Sequence, residues 1–343
     1  MVLECEAKCV MSNMSTKSTM VYKPLVSIVI PAYKAANYLA EAIDSALAQT
    51  YQNIEVIVVN DGSPDEGATR EVALRYGDKI RYFEKPNGGS SSALNYGIRE
   101  MRGEWFSWLS HDDLYYPQKV ERQIEYIRSM NVDTDELSRH VLFSESELID
   151  ENGKLIRRPN DQDVLERHQR VEKAENNARL IAEPTENNFH GCSCLVHRKA
   201  FEAVGVFDES LRLLNDLDMW YRLYSNQYKI HFVPEVLVQG RVHSKQISRS
   251  IGFSYHNPEQ DMFWKRSLDW LEANFSNEYE LFYIFGRNAY RKTRNADGKR
   301  AFVLAAKACP QKKMKLMWAG LKYRSMGRFR SIAKKAYIAL KKL

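Results

Sequence analysis

The stretch Val26-Ser-Ile-Val-Ile-Pro-Ala-Tyr33 decides the fold. It is a β-branched apolar run that empties into polar residues at its C-terminal end. Two further runs follow the same plan: Ile54-Glu-Val-Ile-Val-Val-Asn-Asp-Gly-Ser63 about one helix later, and Glu104-Trp-Phe-Ser-Trp-Leu-Ser-His-Asp-Asp-Leu114 after another helical stretch. Strands buried on both faces of a parallel sheet read this way, and ligands bind at the carboxyl ends of such strands. Two of the three runs end in acids, Asp61 and the pair Asp112/Asp113. Carboxylates at one sheet edge suit a ribose hydroxyl and a divalent cation, which points to a nucleotide-binding enzyme.

Working outward, the spacing of Leu39, Ile43, Ala46 and Leu47 predicts a helix over 38–49 with Asn37 as its cap. Further helices are expected over 69–76, 93–102 and 117–129, with a short strand over 80–83. Asp150-Glu-Asn-Gly153 between Val141–Ile149 and 154–156 is a hairpin signal. Residues 160–188, polar and low in aromatics, read as a helix and a mobile segment. A strand over 192–196, helices over 199–204 and 216–226, and a last strand or pair over 230–238 follow. Everything after about Asn257 reads helical.

A chain of 343 residues holds one large α/β domain and an appendage. No apolar run approaches the ~20 residues of a membrane span, and the first 24 residues lack the apolar core of a signal peptide. Cys5, Cys9, Cys192, Cys194 and Cys309 are scattered without the usual C-x-x-C zinc spacing, so reduced thiols in a cytosolic protein are expected. The net charge of +6 is divided unevenly. From Arg287 onward there are 18 Lys and Arg against one acid, Asp297, a balance of +17 that leaves −11 for the remainder. Near the end, Phe329, Ile332, Ala333, Ala336, Tyr337 and Leu340 keep a helical rhythm among bases. Such a tail suits an anionic membrane surface. The blander reading is a set of solvated packing helices, and no recognised motif supports nucleic acid.

Seven motifs in order resemble the family 2 inverting glycosyltransferases: Val26–Tyr33, Asn60-Asp-Gly-Ser63, Asn87-Gly-Gly with Ala93-Leu-Asn-Tyr-Gly97, Leu109-Ser-His-Asp-Asp113, Val204-Gly-Val-Phe-Asp208, Asn215-Asp-Leu-Asp-Met-Trp220 and Arg241-Val-His243. The resemblance covers about residues 24–250. It implies a GT-A type α/β fold, a Rossmann-like mixed sheet flanked by helices, here with a helical C-terminal extension. The expected layout is a flexible leader over 1–24, a GT-A domain over 25–255 and a basic helical region over 256–343. Within the GT-A domain the nucleotide-binding half is 25–130 and the acceptor half 131–255.

Each candidate site residue also has a structural reading. Asp61 can accept hydrogen bonds from a ribose or base, as the resemblance implies, yet Asp-Gly-Ser-Pro is ordinary turn chemistry. Pro31, Ala32 and Tyr33 offer backbone groups and a ring to the nucleotide, while a proline there also serves simply to end the strand. Asn87 and Gly88 allow close backbone approach before a helix N-terminus, which favours anions, or form a flexible loop. The segment Ser110, His111, Asp112 and Asp113 stands where the family's Asp-x-Asp faces the nucleotide-sugar diphosphate. A hard cation, Mn2+ or Mg2+, wants carboxylate oxygen there. Ser110 replaces the first acid, leaving Asp112 as main ligand with Asp113 beside it; the alternative is a solvated acidic turn. Asp216 stands where the family keeps its general base, behind Asn215 in place of a Glu; its other reading is a helix cap. Asp218 is the bystander easily confused with it. The resemblance places His243 near the metal or diphosphate, although a lone His is often structural.

The expected function is transfer of a sugar, UDP-linked for preference, from a nucleotide-diphospho-sugar to a hydroxyl of a glycan or lipid-linked acceptor in cell-surface polysaccharide or glycolipid synthesis, at the cytoplasmic face of a membrane. The processive synthases' Gln-x-x-Arg-Trp is absent, which favours one or few additions. A catalytically impaired nucleotide-sugar binder is the alternative, kept open by Ser110 and Asn215. A nucleotidyltransferase would want a Gly-rich basic loop that Pro31-Ala-Tyr-Lys34 does not supply.

Overall fold

The computed structural model describes residues 22–130, 132–173, 178–182, 189–244, 246, 258–292, 294–312, 319–320 and 322–323. Cys5, Cys9, most of the expected leader, parts of 160–188 and the apolar rhythm over 329–340 lie outside them.

A nine-stranded sheet runs in the order β3-β2-β1-β4-β8-β6-β9-β5, with β7 paired to β6. The strands are β1 (Val26–Ala32), β2 (Ile54–Asn60), β3 (Arg81–Glu84), β4 (Trp105–Trp108), β5 (Leu114–Tyr115), β6 (His140–Ile149), β7 (Leu155–Arg157), β8 (Leu195–His197) and β9 (Lys229–Arg241). The first four are parallel, Val29 pairing with Ile57 on one side and Trp108 on the other. β8 is antiparallel to β4 and to β6, while β6 and β9 are again parallel. All seven residues of β1 are buried, as its unbroken apolar run requires.

The helices that position the site are α1 (Leu39–Leu47), α2 (Ala68–Leu74), α3 (Ser90–Glu100), α4 (Lys119–Ser129), α5 (Thr134–Leu137), α6 (Asp161–Glu172), α7 (Ala178–Ala182), α8 (Arg198–Val204) and α9 (Asn215–Ser225). α3 lies directly on β1: a Cβ on Gly97 would fall 2.3 Å from Val29 Cγ1, so only glycine permits the approach. α9 is anchored by Trp220, which is fully buried, packs edge-on to Phe143 of β6 and donates its indole N–H to the Phe189 carbonyl at 3.3 Å.

Three expectations change. The run from Glu104 to Leu114 is strand only to Trp108, because residues 109–113 must turn; Asp113 N–H closes that turn on the Ser110 carbonyl at 3.2 Å. The strand expected over 192–196 begins instead as a 3-10 turn, Gly191–Ser193, where Gly191 sits against the Trp108 ring. The last strand continues to Arg241 past two irregularities in its pairing with β6.

The C-terminal region is helical as expected: α10 (Pro258–Asn274), α11 (Tyr279–Arg291) and α12 (Asn295–Ala308). The basic segment, however, does not begin at a boundary. Arg287 lies inside α11, whose Asn288, Ala289 and Tyr290 are buried, and Arg294 and Arg300 pair with Asp261, Asp269 and Glu272 of α10. Among the described residues no helix is long and apolar enough to cross a membrane.

Candidate active site

The carboxyl ends of β1, β2 and β4 meet at one sheet edge, and the backbone continues their ladder: Asp61 N–H reaches the Ala32 carbonyl at 2.8 Å and Leu109 N–H that of Val29 at 3.0 Å. Pro31 and Ala32 are buried there, while Tyr33 is exposed. His111 Nδ1 lies 3.3 Å from the Pro31 carbonyl, bringing the first and fourth motifs together.

Asp61 is buried, and both its oxygens are taken by the segment after β3. Oδ1 pairs with Lys85 Nζ at 2.7 Å and accepts Gly88 N–H at 3.0 Å; Oδ2 accepts from the Asn87 amide at 3.1 Å and from Gly89 N–H at 2.6 Å. A carboxylate offers about four acceptor sites, and here each meets a donor. Asp61 therefore shapes the Asn87–Gly89 turn that opens α3, rather than standing free for a ribose. Gly89, at φ +90°, is the residue that turn requires.

At the end of β4 the two acids part ways. Asp112 Oδ2 lies 3.0 Å from His243 Nε2, with the Gln246 amide at 3.4 Å. Burial raises its pKa, but the His111 charge and the His243 hydrogen bond outweigh burial and hold the carboxyl below its usual range. Asp112 and His243 thus bring a carboxylate oxygen and a ring nitrogen together at this edge, donor types that could hold a divalent cation.

Asp113 faces inward, away from that pair, and this departs from its expected place as a partner ligand. Its Oδ1 accepts Arg241 N–H at 2.8 Å, and its Oδ2 lies 3.1 Å from the Cys192 thiol and 3.8 Å from His190 Nε2. Burial and then Asp112 push its pKa up. Asp113, His190 and Cys192 do bring three potential ligand atoms within 4.8 Å of one another. In this structure their contacts are hydrogen bonds: the buried thiol, its pKa pushed up by burial and by Asp113, faces Asp113 Oδ2, and His190 Nδ1 accepts Cys192 N–H at 3.3 Å. The set as it stands is a hydrogen-bonded cluster. Ser110 belongs to it, its N–H donating to Cys192 Sγ at 3.1 Å.

Asp216 stands at the start of α9, half-buried. It is not the cap: Leu214 holds that position, and Asp216 Oδ1 turns to Leu217 N–H at 2.7 Å. Burial raises its carboxyl from 3.8 to about 6, against smaller lowering effects from that hydrogen bond and from His190. Asp218, two residues further along the helix, is neutralised by Arg222 at 2.8 Å and by Arg266. Among the described residues, no lysine or arginine pairs with Asp216.

Several residues that organise this edge carry no signal in sequence spacing. Arg241 is fully buried; it donates to the Asp112 carbonyl at 2.9 Å, pairs with Glu41 at 2.7 Å and stacks on Tyr38, whose ring meets His243. Its place two residues before His243 is the sole hint. His190, Cys192, Arg212 and Glu259 join the site from segments whose partners lie tens of residues away.

Comparisons with known proteins identify the family and the fold. The sequence model of Glycosyl transferase family 2 matches residues 27–205. An uncharacterized glycosyltransferase of Rickettsia felis is 45% identical over 288 residues, which is 83% of this chain and 45% of that protein. The chain thus spans about half the length of that relative. Among solved structures, S. aureus TarS 1–349 in complex with UDP-GlcNAc superposes with a TM-score of 0.57 at 16% identity, covering 89% of this chain and 91% of that one. The mannosyltransferase PcManGT from Pyrobaculum calidifontis, in complex with GDP-Man and Mn2+, gives 0.54 at 17% identity, covering 90% and 85%. The fold is of the GT-A type, and the chain belongs to glycosyl transferase family 2, whose members transfer sugar from nucleotide-sugars.

Proposed function

We propose that this chain catalyses inverting transfer from a UDP-sugar to a hydroxyl of a glycan or lipid-linked acceptor, with Asp216 as general base. The observation that carries the reading is the contrast within α9. Asp218 is locked between two guanidinium groups, whereas Asp216 is partly exposed and its pKa is raised to about 6. That value is suited to taking a proton near neutrality. In the step, the acceptor O–H gives its proton to Asp216 as its oxygen attacks the anomeric carbon. The bond from that carbon to the diphosphate oxygen breaks in line, and the nucleoside diphosphate leaves with the electron pair.

A divalent cation bound by Asp112 and His243 would supply charge neutralisation for the departing diphosphate. Arg241 fixes the Asp112 backbone so that its carboxylate meets His243. The backbone of Pro31–Tyr33 and the Asp61-organised turn at Asn87–Gly88 hold the nucleoside. His111, tied to Pro31, and Ser110 frame the diphosphate. The TarS complex with UDP-GlcNAc and the PcManGT complex with Mn2+ support the donor and metal classes. Polysaccharide or glycolipid synthesis at the cytoplasmic membrane face fits the excess of positive charge near the C-terminus.

The test is a panel of UDP- and GDP-sugars with Mn2+, read as nucleotide release by wild-type and Asp216→Asn protein. The variant should turn over ~10²-fold more slowly, the scale for loss of a general base. Near-wild-type turnover would remove Asp216 from the role.

A further inference from the structure

The C-terminal helices reach the site through one side chain. Glu259, the second residue of α10, spreads its carboxylate over three successive backbone N–H groups just ahead of α9. Oε1 accepts from Arg212 at 2.9 Å, and Oε2 accepts from Leu213 and Leu214 at 3.0 Å each. Leu214 is the N-cap residue of α9 and has no side-chain oxygen with which to cap it. Converging N–H groups with an anion at their focus form a strong, directional clamp. Two residues further along stands Asp216.

The same face of α10 grips α9 again lower down. Arg266 pairs with Asp218, Phe263 meets the Tyr221 ring edge-on, and the Tyr221 hydroxyl donates to the Arg266 carbonyl at 3.3 Å. The clamped stretch also touches the nucleotide side. The Arg212 guanidinium donates to the Gly88 carbonyl at 3.3 Å, and a Cβ on Gly89 would fall 2.2 Å from Arg212 Nη1. One short segment, fixed by Glu259, thus adjoins both the turn organised by Asp61 and the helix bearing Asp216.

We propose that Glu259 is a positioning residue for sugar transfer: through this one side chain α10 sets the start of α9, and with it the Asp216 carboxylate. The proposal rests on Asp216 being the base. A carboxylate that must meet one acceptor hydroxyl tolerates little displacement; a shift of about 1 Å can cost ~10²-fold in rate. Glu259 itself touches no substrate.

The experiment compares full-length wild-type protein with Glu259→Ala, Glu259→Gln, Phe263→Ala and Asp216→Asn. It measures kcat with the nucleotide-sugar that supports wild-type turnover, Kd for UDP with Mn2+ by calorimetry, and the melting temperature. Glu259→Ala should lose ~10- to 100-fold in kcat and keep the UDP affinity within about twofold. Glu259→Gln, which retains one acceptor oxygen, should recover part of the loss, and it also serves if the alanine variant does not fold. Phe263→Ala loosens the same helix pair without touching the clamp, so it should lower the melting temperature and leave kcat within about twofold. Unchanged kcat in both Glu259 variants, a parallel loss of UDP affinity, or an equal fall of kcat in Phe263→Ala would overturn the proposal. Turnover near wild-type in Asp216→Asn would instead overturn the assignment of the base, whatever Glu259 does.

Discussion

If Asp216 is held in a desolvating place for catalysis, the fold bears a cost for it, and replacing it by asparagine should stabilise the protein. Its carboxyl rises from 3.8 to about 6. Two units at 1.36 kcal/mol each come to roughly 3 kcal/mol, and partial exposure reduces this to about 1–2 kcal/mol. The sign follows from the folded pKa lying above the unfolded one. The folded state holds the proton more tightly, so the stabilising contribution is fully present below about pH 4 and is lost as pH rises through 6. At pH 7.5 the wild type carries the whole penalty of a buried anion, and a neutral asparagine in its place would carry none. The asparagine side-chain oxygen can still accept the Leu217 N–H. Urea titrations at pH 7.5 should therefore show Asp216→Asn more stable by about 1–2 kcal/mol. The gain should shrink to about a third by pH 4.5. A purely structural cap predicts otherwise, because Asn and Asp cap helices about equally well. A variant no more stable than wild type at pH 7.5, or a difference independent of pH, would refute the reasoning.

Asp112→Ala should abolish the Mn2+-dependent part of UDP binding in calorimetry, since His243 then lacks its carboxylate partner 3.0 Å away; unchanged affinity with Mn2+ would remove Asp112 from the metal site. Lys119, fully buried beneath β4 against Ser107 and the Cys194 carbonyl, has its pKa pushed down to about 8 by burial. Its folded pKa lies below the unfolded value, so wild type should gain about 2 kcal/mol relative to Lys119→Met between pH 8 and 9.5, and urea titrations showing a constant difference would contradict this. Removing residues 324–343, which hold seven Lys and Arg and no acid, should abolish co-sedimentation with anionic liposomes at low salt, each base contributing about 1 kcal/mol near such a surface. Equal sedimentation of the two forms would show that the tail is not the contact.

The strands of the nucleotide half were legible because burial on both faces leaves an unmistakable apolar run, and the acids at their ends mark one edge. What the pattern could not say is which way each acid points. Asp112 and Asp113 are adjacent in sequence, but the turn closed between Ser110 and Asp113 sends one toward His243 and the other toward Cys192 and Arg241. Asp61 sat in a readable position, yet its role in shaping the Asn87–Gly89 turn depends on donors 24 to 28 residues away. α3 begins at Ser90 rather than near Ala93 because that turn delivers the chain already poised to coil. The place of Asp216 at the start of a helix was legible, whereas Glu259, 45 to 47 residues from its partners, was not. Local periodicity reports burial, and long-range polar contacts leave no period.

The same contacts explain how the chain accommodates its departure at Ser110. An aspartate there would lie beside Asp113, a buried carboxyl whose pKa Asp112 already raises, and beside a thiol whose pKa burial and Asp113 raise further. A third negative charge in that cluster would be strongly disfavoured without a cation to offset it. Serine instead offers an uncharged hydroxyl that accepts from Cys192 Sγ at 3.3 Å, beside the backbone N–H that donates to the same sulfur at 3.1 Å. Cys192 in turn reaches Asp113, which accepts Arg241 N–H, and Arg241 holds the Asp112 carbonyl. On the other side Cys192 N–H meets His190, next to Phe189, whose carbonyl receives the Trp220 indole of α9. Asp112 and the helix that bears Asp216 are therefore joined by one run of contacts through Cys192. With Cys192 at its centre and Ser110 bonded to that sulfur, the run needs no third carboxylate to hold the Asp112 backbone in place.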